Sequence, residues 1–406
     1  MQKQIISTVF SKGASTALNF LIALLIARHS GPAVKGDVTL LVTTLSFFIF
    51  FSNIMGGQAL VYLIPRNKIE LLAVPAYAWS TVTALLGFVL LRYTNLIHAN
   101  HIPSLAALSV LSAFINIHQT ILLAKQKINN ANLVMLLSLL LKVTGVLFCF
   151  YFLNIRDAYA YIYAALFAYS VTAVTSFFLV KHWVHFTAFR QHFSWAELQQ
   201  SFRYGVLYQL VEILQLLNLR YYFYQLGLQQ GIQYLGIYSI GISILEAVWI
   251  IPRSIATVHY TATSNSKEIA NEATRTAGLI KWSVLLSAAA LLVIYLVPSQ
   301  VYVFVFGPGF TDVKHSMRFL FPGVLIYGVL LVISSFYFGI GQYKPLIIAN
   351  ALGVVTLIGF SFILIPQYVM SGAGLAASVS FAAATLTLFA WFMAEQKVPV
   401  AALFKR

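Results

Sequence analysis

The sequence has few charged residues, and carboxylates are the scarcest of them. Only 9% of its 406 residues are Asp, Glu, Lys or Arg, whereas a soluble domain carries about 25%. Hydrophobic residues make up 60% of the chain, and the mean hydropathy is +0.85. This composition excludes a soluble globular domain and leaves too few charges for a nucleic-acid-binding face. It predicts a polytopic integral membrane protein.

Cysteine and the usual signatures of catalysis are also missing. Cys149 is the only cysteine, so no disulfide framework can form. The ten Asp and Glu residues are scattered, the nine histidines have no metal-ligand spacing, and there is no glycine-rich phosphate loop. The sequence therefore predicts neither an enzyme nor a metal site, and no cofactor is expected.

Long apolar runs are abundant instead. A helical span needs about 20 mostly apolar residues. The sequence contains twelve such segments, the first predicted to remain uncleaved: 5–28, 38–64, 71–94, 103–124, 131–153, 158–181, 204–226, 234–259, 278–298, 316–340, 345–366 and 371–393. Most Lys and Arg residues fall in loops on one side, which predicts cytoplasmic N- and C-termini.

The longest polar segment, 182–203, divides the spans into two sets of six. Its mixture of aromatic, His, Arg and Gln residues is typical of a helix at the cytoplasmic interface. We therefore predict an N-terminal lobe, 1–181, and a C-terminal lobe, 204–406. Similar short loop sequences recur in the two halves on the same side of the membrane. Parallel repeats of this kind place a transport site between them.

Several polar side chains fall inside predicted spans. Each ionised one costs at least ~2.5–3.5 kcal/mol near the bilayer centre, so it is expected to face protein or water. In the C-terminal half they are Glu212, Gln215, Asn218, Arg220, Glu246 and Arg253, and in the N-terminal half Lys12, Asn53 and Lys142. They predict a water-filled cavity that handles a charged substrate. A structural ion-pair network is the alternative, and Lys12 is also explained as a charge that sets topology.

Depth along the helices predicts which of these residues meet. Glu212 and Arg253 lie at similar depth from the cytoplasmic face, which predicts a pair between spans seven and eight. Arg220 lies about 12 Å from Glu212 along the axis and has no acidic neighbour on its own helix. An unpaired guanidinium matches phosphate oxygens, which makes Arg220 the leading phosphate candidate. A helix break at Gly56-Gly57 is also predicted, with close helix packing there as the alternative, and a kink is predicted at Pro252.

The chain resembles a known family of transporters. The resemblance is carried, in order, by 25–28 (LIAR), 31–32 (GP), 36–37 (GD), 235–239 (LGIYS), 306–310 (FGPGF), 364–366 (LIP) and 372–376 (GAGLA). These segments resemble the polysaccharide-lipid flippases, the Wzx-type O-antigen and capsule translocases. That family is part of the multidrug/oligosaccharidyl-lipid/polysaccharide (MOP) exporter superfamily.

The resemblance implies an all-α integral membrane fold with twelve transmembrane helices in two six-helix lobes around a central cavity. It implies transport of an undecaprenyl-diphosphate-linked oligosaccharide, an O-antigen, capsule or exopolysaccharide unit, from the inner to the outer leaflet. The family's cationic cavities agree with Lys12, Lys142, Arg220 and Arg253. One departure is Leu219, where the family often has an Asp before the arginine.

Three rival functions remain open at this point. A drug/cation antiporter of the same superfamily is expected to have a net acidic cavity. A peptidoglycan-precursor flippase resembles a fourteen-helix chain, and a membrane polysaccharide polymerase or ligase has a long periplasmic loop. Expected partners of the preferred function are the lipid-linked oligosaccharide and membrane lipids, with a proton or sodium ion and other polysaccharide-assembly proteins as further candidates. The expected location is the bacterial cytoplasmic (inner) membrane.

Overall fold

The described part of the protein is helical throughout. The computed structural model describes residues 2–64, 69–94, 96–184, 195–266 and 268–397. Within these ranges there is no β-strand. The predicted all-α fold class is confirmed.

Fourteen α-helices and three short 3₁₀ turns make up the described ranges. The helices are α1 Gln2–Gly56, α2 Gln58–Leu63, α3 Ile69–Arg92, α4 Ile102–Ala124, α5 Ile128–Tyr151, α6 Ala158–Val180, α7 Trp195–Gln229, α8 Ile232–Glu246, α9 Ile250–Asn265, α10 Ile269–Leu296, α11 Ser299–Phe306, α12 Val313–Met317, α13 Phe321–Gly339 and α14 Lys344–Gln396. The 3₁₀ turns are Ala99–His101, Ala247–Trp249 and Pro308–Phe310.

The two longest helices are each interrupted once. In α1 the break is at Gly31, whose φ of 78° lies in the left-handed region that glycine adopts without a steric cost. In α14 the break is at Val369, where φ is 49°. Each break falls between two predicted spans, so α1 and α14 each contain a pair of crossing segments.

Nine described segments are long and apolar enough to cross a membrane. Two of them are the interrupted helices, so the nine account for eleven of the predicted spans. The seventh predicted span lies in α7, which is not among the nine because it carries the polar stripe of Gln209, Glu212, Gln215, Asn218 and Arg220. The protein is therefore a multi-pass membrane protein, and every predicted span corresponds to a helix.

Two predicted interruptions are present, one of them in a different form. Gly57 is non-helical and separates α1 from α2, as predicted. The predicted kink at Pro252 is a 3₁₀ turn, Ala247–Trp249, between α8 and α9. Pro252 has no N–H to donate four residues back, so the Val248 carbonyl lacks its α-helical partner and the backbone tightens there.

The predicted boundaries of spans eight and nine were too short. Helix α9 continues to Asn265 and α10 already begins at Ile269. Glu272 and Arg275, which were predicted to lie in a loop, are therefore helical. In the predicted linker, residues 195–203 are helical and form the beginning of α7. The remainder of the linker from residue 185 to 194 lies outside the described residues.

The chain divides into two compact units, Met1–Ile213 and Leu214–Arg406. In the first unit α5 packs against α6, and α1 packs against α3 and α5. In the second unit Tyr327 lies between Trp249 and Phe381, with ring centroids 4.8 and 4.7 Å away. The Trp249 indole N–H donates to the Val324 carbonyl at 2.9 Å, which satisfies this buried polar group. The predicted lobes, 1–181 and 204–406, stay a prediction.

Single cysteines in a Cys149→Ala background test the topology. Cysteines at Asn129 and Ser266 should react only with an impermeant thiol reagent on the cytoplasmic side, and one at Gln230 only from outside. Labelling of each variant in intact and in inverted membranes gives the measurement. The Cys149→Ala parent is the blank, because it contains no cysteine. Reaction of Asn129 and Gln230 variants from the same side would contradict the predicted arrangement.

Candidate functional site

The prediction that Arg220 is unpaired is wrong. Its two terminal nitrogens donate to both carboxylate oxygens of Glu246, with Nη1–Oε1 at 2.6 Å and Nη2–Oε2 at 2.9 Å. This bidentate pairing between α7 and α8 is the strongest geometry available to an arginine and a carboxylate. About a quarter of each side chain is exposed, 24% for Arg220 and 22% for Glu246. In this conformation the two charges neutralise each other.

The local structure around the pair fixes both side chains. Glu246 is the last residue of α8, directly before the 3₁₀ turn. Arg220 Nη1 also donates to the Leu219 carbonyl at 3.0 Å. The guanidinium carbon lies 5.1 Å from the ring centroid of Phe223, a cation–π contact. Leu219 offers Arg220 no carboxylate, so the acidic partner comes from the next helix, as Glu246.

Lys142 is a buried ammonium with a different environment. Its side chain on α5 is 5% exposed, and Nζ donates to the Tyr169 hydroxyl on α6 at 3.0 Å. Nζ also lies 4.6 Å from the ring centroid of Tyr169 and 5.7 Å from that of Tyr161. Among the described residues no carboxylate lies within ion-pair distance of it. The aromatic rings stabilise the charge in part but do not neutralise it.

Two further predicted cations are accessible. Arg253, near the start of α9, is exposed, and its guanidinium carbon lies 5.8 Å from the Trp249 ring centroid. It belongs to an apolar crossing segment, Ile232–Ser264. Lys12 on α1 is also exposed. An exposed guanidinium inside a crossing segment is expected to face water or lipid head groups, because contact with lipid tails is costly.

The predicted pair of Glu212 and Arg253 is left as a prediction, because the two residues belong to different compact units. Asn53 accepts a hydrogen bond from Asn116 on α4 within the first unit. The Gln215 amide nitrogen is buried, with no hydrogen-bond partner among the described residues. Within each unit, no hydrogen bond joins Asn53 or Gln215 to a predicted cation among the described residues.

Asn218 joins helices to each other. Its side chain is fully buried, and its amide nitrogen donates to the Asn350 carbonyl on α14 at 3.0 Å. Its amide oxygen accepts from the Ser380 hydroxyl at 2.9 Å. Asn350 and Ser380 lie on opposite sides of the break in α14, so Asn218 holds α7 against both of its parts. In this conformation the residue expected in a cavity stabilises helix packing.

The residues that the sequence prediction missed are Tyr161 and Tyr169. The sequence does contain a signal for these two tyrosines, because α5 and α6 form an antiparallel hairpin and depth along each helix can be counted. Lys142 lies nine residues before the end of α5, about 13.5 Å from it, whereas Tyr161 and Tyr169 lie about 4.5 and 16.5 Å from the start of α6. The two tyrosines therefore bracket the depth of the lysine on the facing helix.

Comparisons with known proteins identify the fold. No protein-family model and no curated protein sequence matches the chain. Solved structures do match it. An inward-facing multidrug resistance MATE family transporter of the MOP superfamily has a TM-score of 0.73 at 17% identity, over 94% of both chains. The lipid II flippase MurJ in an inward closed conformation has a TM-score of 0.74 at 15% identity, over 100% of this chain and 89% of MurJ.

A third similar structure is a MOP superfamily transporter from Pyrococcus furiosus, with a TM-score of 0.67 at 17% identity over 99% of this chain and 95% of that one. That transporter has a binding pocket of reverse polarity, which suggests a different function for it. The chain therefore has the fold of the MOP-superfamily transporters. The all-α transporter fold predicted from the sequence is confirmed.

Proposed function

We propose that this protein is a flippase that moves an undecaprenyl-diphosphate-linked oligosaccharide repeat from the cytoplasmic to the outer leaflet by alternating access. The repeat is a unit of O-antigen, capsule or exopolysaccharide. The observation that carries the proposal is Lys142, a buried ammonium without a carboxylate partner among the described residues. A buried charge is costly when it is unpaired. An anionic substrate would supply the negative charge that Lys142 lacks.

The positive side chains support a diphosphate as the recognised group. Of the four cations predicted from the sequence, Arg253 and Lys12 are exposed and Lys142 is buried. Arg220 is proposed to contact the diphosphate only in exchange for Glu246, because both of its terminal nitrogens now donate to that carboxylate. Glu212, Gln215 and Asn53 are proposed to face sugars or the coupling ion.

The rival functions make different demands on the same residues. A drug/cation antiporter needs carboxylates free to bind a cation, and Glu246 is neutralised by Arg220. A peptidoglycan-precursor flippase shares the need for a diphosphate site, and MurJ, a lipid II flippase, has the same fold. Twelve predicted spans favour the polysaccharide-lipid class over that alternative. A polymerase or ligase has no counterpart among the transporter neighbours.

The transport cycle follows from this assignment. The lobes 1–181 and 204–406 are proposed to open alternately to the two sides, while the lipid tail stays in the bilayer. We place the protein in the bacterial inner membrane with both termini cytoplasmic. Membrane lipids surround it, a proton or sodium ion is the proposed coupling partner, and other polysaccharide-assembly proteins are proposed to act with it.

Reconstitution tests the function directly. Proteoliposomes containing a fluorescent undecaprenyl-diphosphate-linked N-acetylglucosamine should expose more of the probe to an impermeant quencher than protein-free vesicles do. Parallel vesicles receive fluorescent lipid II or a cationic dye. Dye transport without movement of the lipid-linked sugar would identify an antiporter, and movement of lipid II alone would identify the peptidoglycan-precursor rival. A change in the length of the saccharide would identify an enzyme.

A further inference from the structure

A buried histidine faces a carboxylate across the α9–α10 hairpin, and neither residue belongs to the site described above. His259 on α9 is 1% exposed. Its Nδ1 lies 3.6 Å from Oε2 of Glu272 on α10, and its Nε2 lies 2.8 Å from the Thr276 hydroxyl on the same helix. The proposed substrate site uses none of these three residues.

The hydrogen bonds at Thr276 favour the tautomer of His259 that carries its proton on Nε2. The Thr276 hydroxyl donates to the Glu272 backbone carbonyl at 2.7 Å, so its oxygen is left to accept from His259 Nε2. A neutral ring protonated on Nε2 presents a lone pair on Nδ1. Opposite it, Glu272 Oε2 is buried and accepts no hydrogen bond among the described residues. Two acceptors thus face each other at 3.6 Å, just beyond hydrogen-bond distance, and a proton on Nδ1 would draw them together.

The remaining neighbours on α9 and α10 leave this gap open. The Thr263 hydroxyl lies 3.5 Å from Nδ1, at the outer limit of a hydrogen bond. Arg275 Nη1 lies 3.8 Å from Oε1 of Glu272, which is the other carboxylate oxygen. Oε2 is therefore the oxygen directed at the ring.

The helix packed on the other side contributes no charge to the pair. Helix α13 presents Phe336, whose ring stacks on His259 at a centroid distance of 6.4 Å. The adjacent Tyr337 donates its hydroxyl to Glu395 on α14 at 2.9 Å. The titratable and charged groups that face His259 in the described structure are thus Glu272 and Arg275.

We propose that His259 and Glu272 hold one proton between them and that this proton closes α9 against α10. The proton arrives from water through Glu272, whose side chain is 13% exposed. It binds to Nδ1, and two acceptors that repel each other become a charge-assisted hydrogen bond between an imidazolium and a carboxylate. Loss of the proton restores the repulsion and loosens the hairpin.

The site lies on the helix that carries an accessible cation of the proposed substrate site. His259 is six residues beyond Arg253 on α9, about 9 Å along the axis. A shift of α9 against α10 therefore also moves Arg253. The proton is in this way the coupling ion of the transporter, an inference that rests on the proposed function, whereas the proton site itself does not.

NMR of protein carrying isotope-labelled histidine nitrogens in lipid nanodiscs tests the proton site. The His259 resonances, assigned as those missing from His259→Gln, should show the Nε2–H tautomer at high pH and a doubly protonated ring at low pH, between about pH 5 and pH 9. Glu272→Gln should lower the proton affinity of His259 about tenfold or more, because the charged acceptor is lost. No titration in that range, or an unchanged midpoint in Glu272→Gln, would overturn the site.

Two further variants complete the NMR experiment. Thr276→Val keeps the side-chain shape but removes the acceptor of Nε2–H, so the neutral ring should move toward the Nδ1–H tautomer; an unchanged tautomer would overturn the assignment. His98 is the matched control, since its Nε2 also lies 3.6 Å from a carboxylate, Asp37, but its side chain is 72% exposed. His98→Gln should leave the His259 titration unchanged.

Transport of the fluorescent undecaprenyl-diphosphate-linked N-acetylglucosamine tests the coupling. The wild-type rate should depend on pH, and Glu272→Gln should flatten that dependence while His98→Gln retains it. Transport whose pH profile is the same in Glu272→Gln would overturn the coupling. Titration of His259 without transport of this probe at any pH would instead reject the proposed function and leave the proton site standing.

Discussion

Lys142→Met should abolish transport of the lipid-linked sugar while the protein remains folded. Met has a similar length and no charge, so the substitution removes a buried ammonium that no described carboxylate compensates. Removing such a charge is expected to leave the free energy of unfolding unchanged or to increase it. A charged hydrogen bond to phosphate contributes ~1.5–3 kcal/mol, which corresponds to a ~10–150-fold loss of binding. Probe binding and transport are measured at matched membrane abundance.

Lys314→Met is the matched control. Lys314 also donates one hydrogen bond, to the Val297 carbonyl at 2.9 Å, and its Nζ also lies over a tyrosine ring, 5.5 Å from the centroid of Tyr295. This substitution should leave transport intact. Full transport by Lys142→Met, or an equal loss in both variants, would remove Lys142 from the proposed site.

Tyr169→Phe distinguishes the contribution of the Lys142 ammonium from that of the hydroxyl that accepts its hydrogen bond. The ring and its cation–π contact remain, while the 3.0 Å hydrogen bond to Nζ is lost. Because the variant keeps the ammonium and only loosens its position, the expected loss of binding is smaller than in Lys142→Met, about 2–12-fold or ~0.5–1.5 kcal/mol. A loss as complete as that of Lys142→Met would assign the main role to the tyrosine hydroxyl instead.

The crossing segments could be predicted because each has its own local signal. Hydrophobic length alone located them, and Gly31 separates the first two as the loop sequence suggested. The C-terminal end of α9 and the start of α10 were missed because Glu272 and Arg275 are charged. Charged residues beside an apolar segment are typical of a loop. In the structure one faces buried His259 and the other lies at the hairpin surface.

The pairing of Arg220 could not be predicted from depth. Arg220 lies nine residues from the end of α7 and Glu246 fourteen from the start of α8, about 13.5 and 21 Å along their helices. A straight antiparallel pair would separate them by about 7.5 Å along the axis, and the long arginine side chain covers that difference. Helix tilt and side-chain reach are properties of the packed bundle, and hydrophobic patterning carries no information on either.

Removal of the Glu246 charge should destabilise the protein strongly. Glu246→Met leaves the Arg220 guanidinium without its bidentate partner inside the bundle. Breaking a buried pair in this way costs ~3–5 kcal/mol, and the lower end is expected because about a quarter of each side chain is exposed. Thermal unfolding of the detergent-solubilised protein gives the measurement. Arg253→Met is the control, an exposed arginine whose loss should change stability by no more than about 0.5 kcal/mol.

The double substitution decides whether the two charges act as a unit. Arg220→Met combined with Glu246→Met removes both charges together, so neither is left stranded, and most of the stability lost in Glu246→Met should return. The expected interaction energy from the double-mutant cycle is ~1.5–3 kcal/mol. Stability losses that simply add would contradict a coupled pair and would release Arg220 as a direct phosphate ligand. Coupling of the expected size, together with transport lost in Lys142→Met, would place the diphosphate at Lys142 and leave Arg220 to hold α7 against α8.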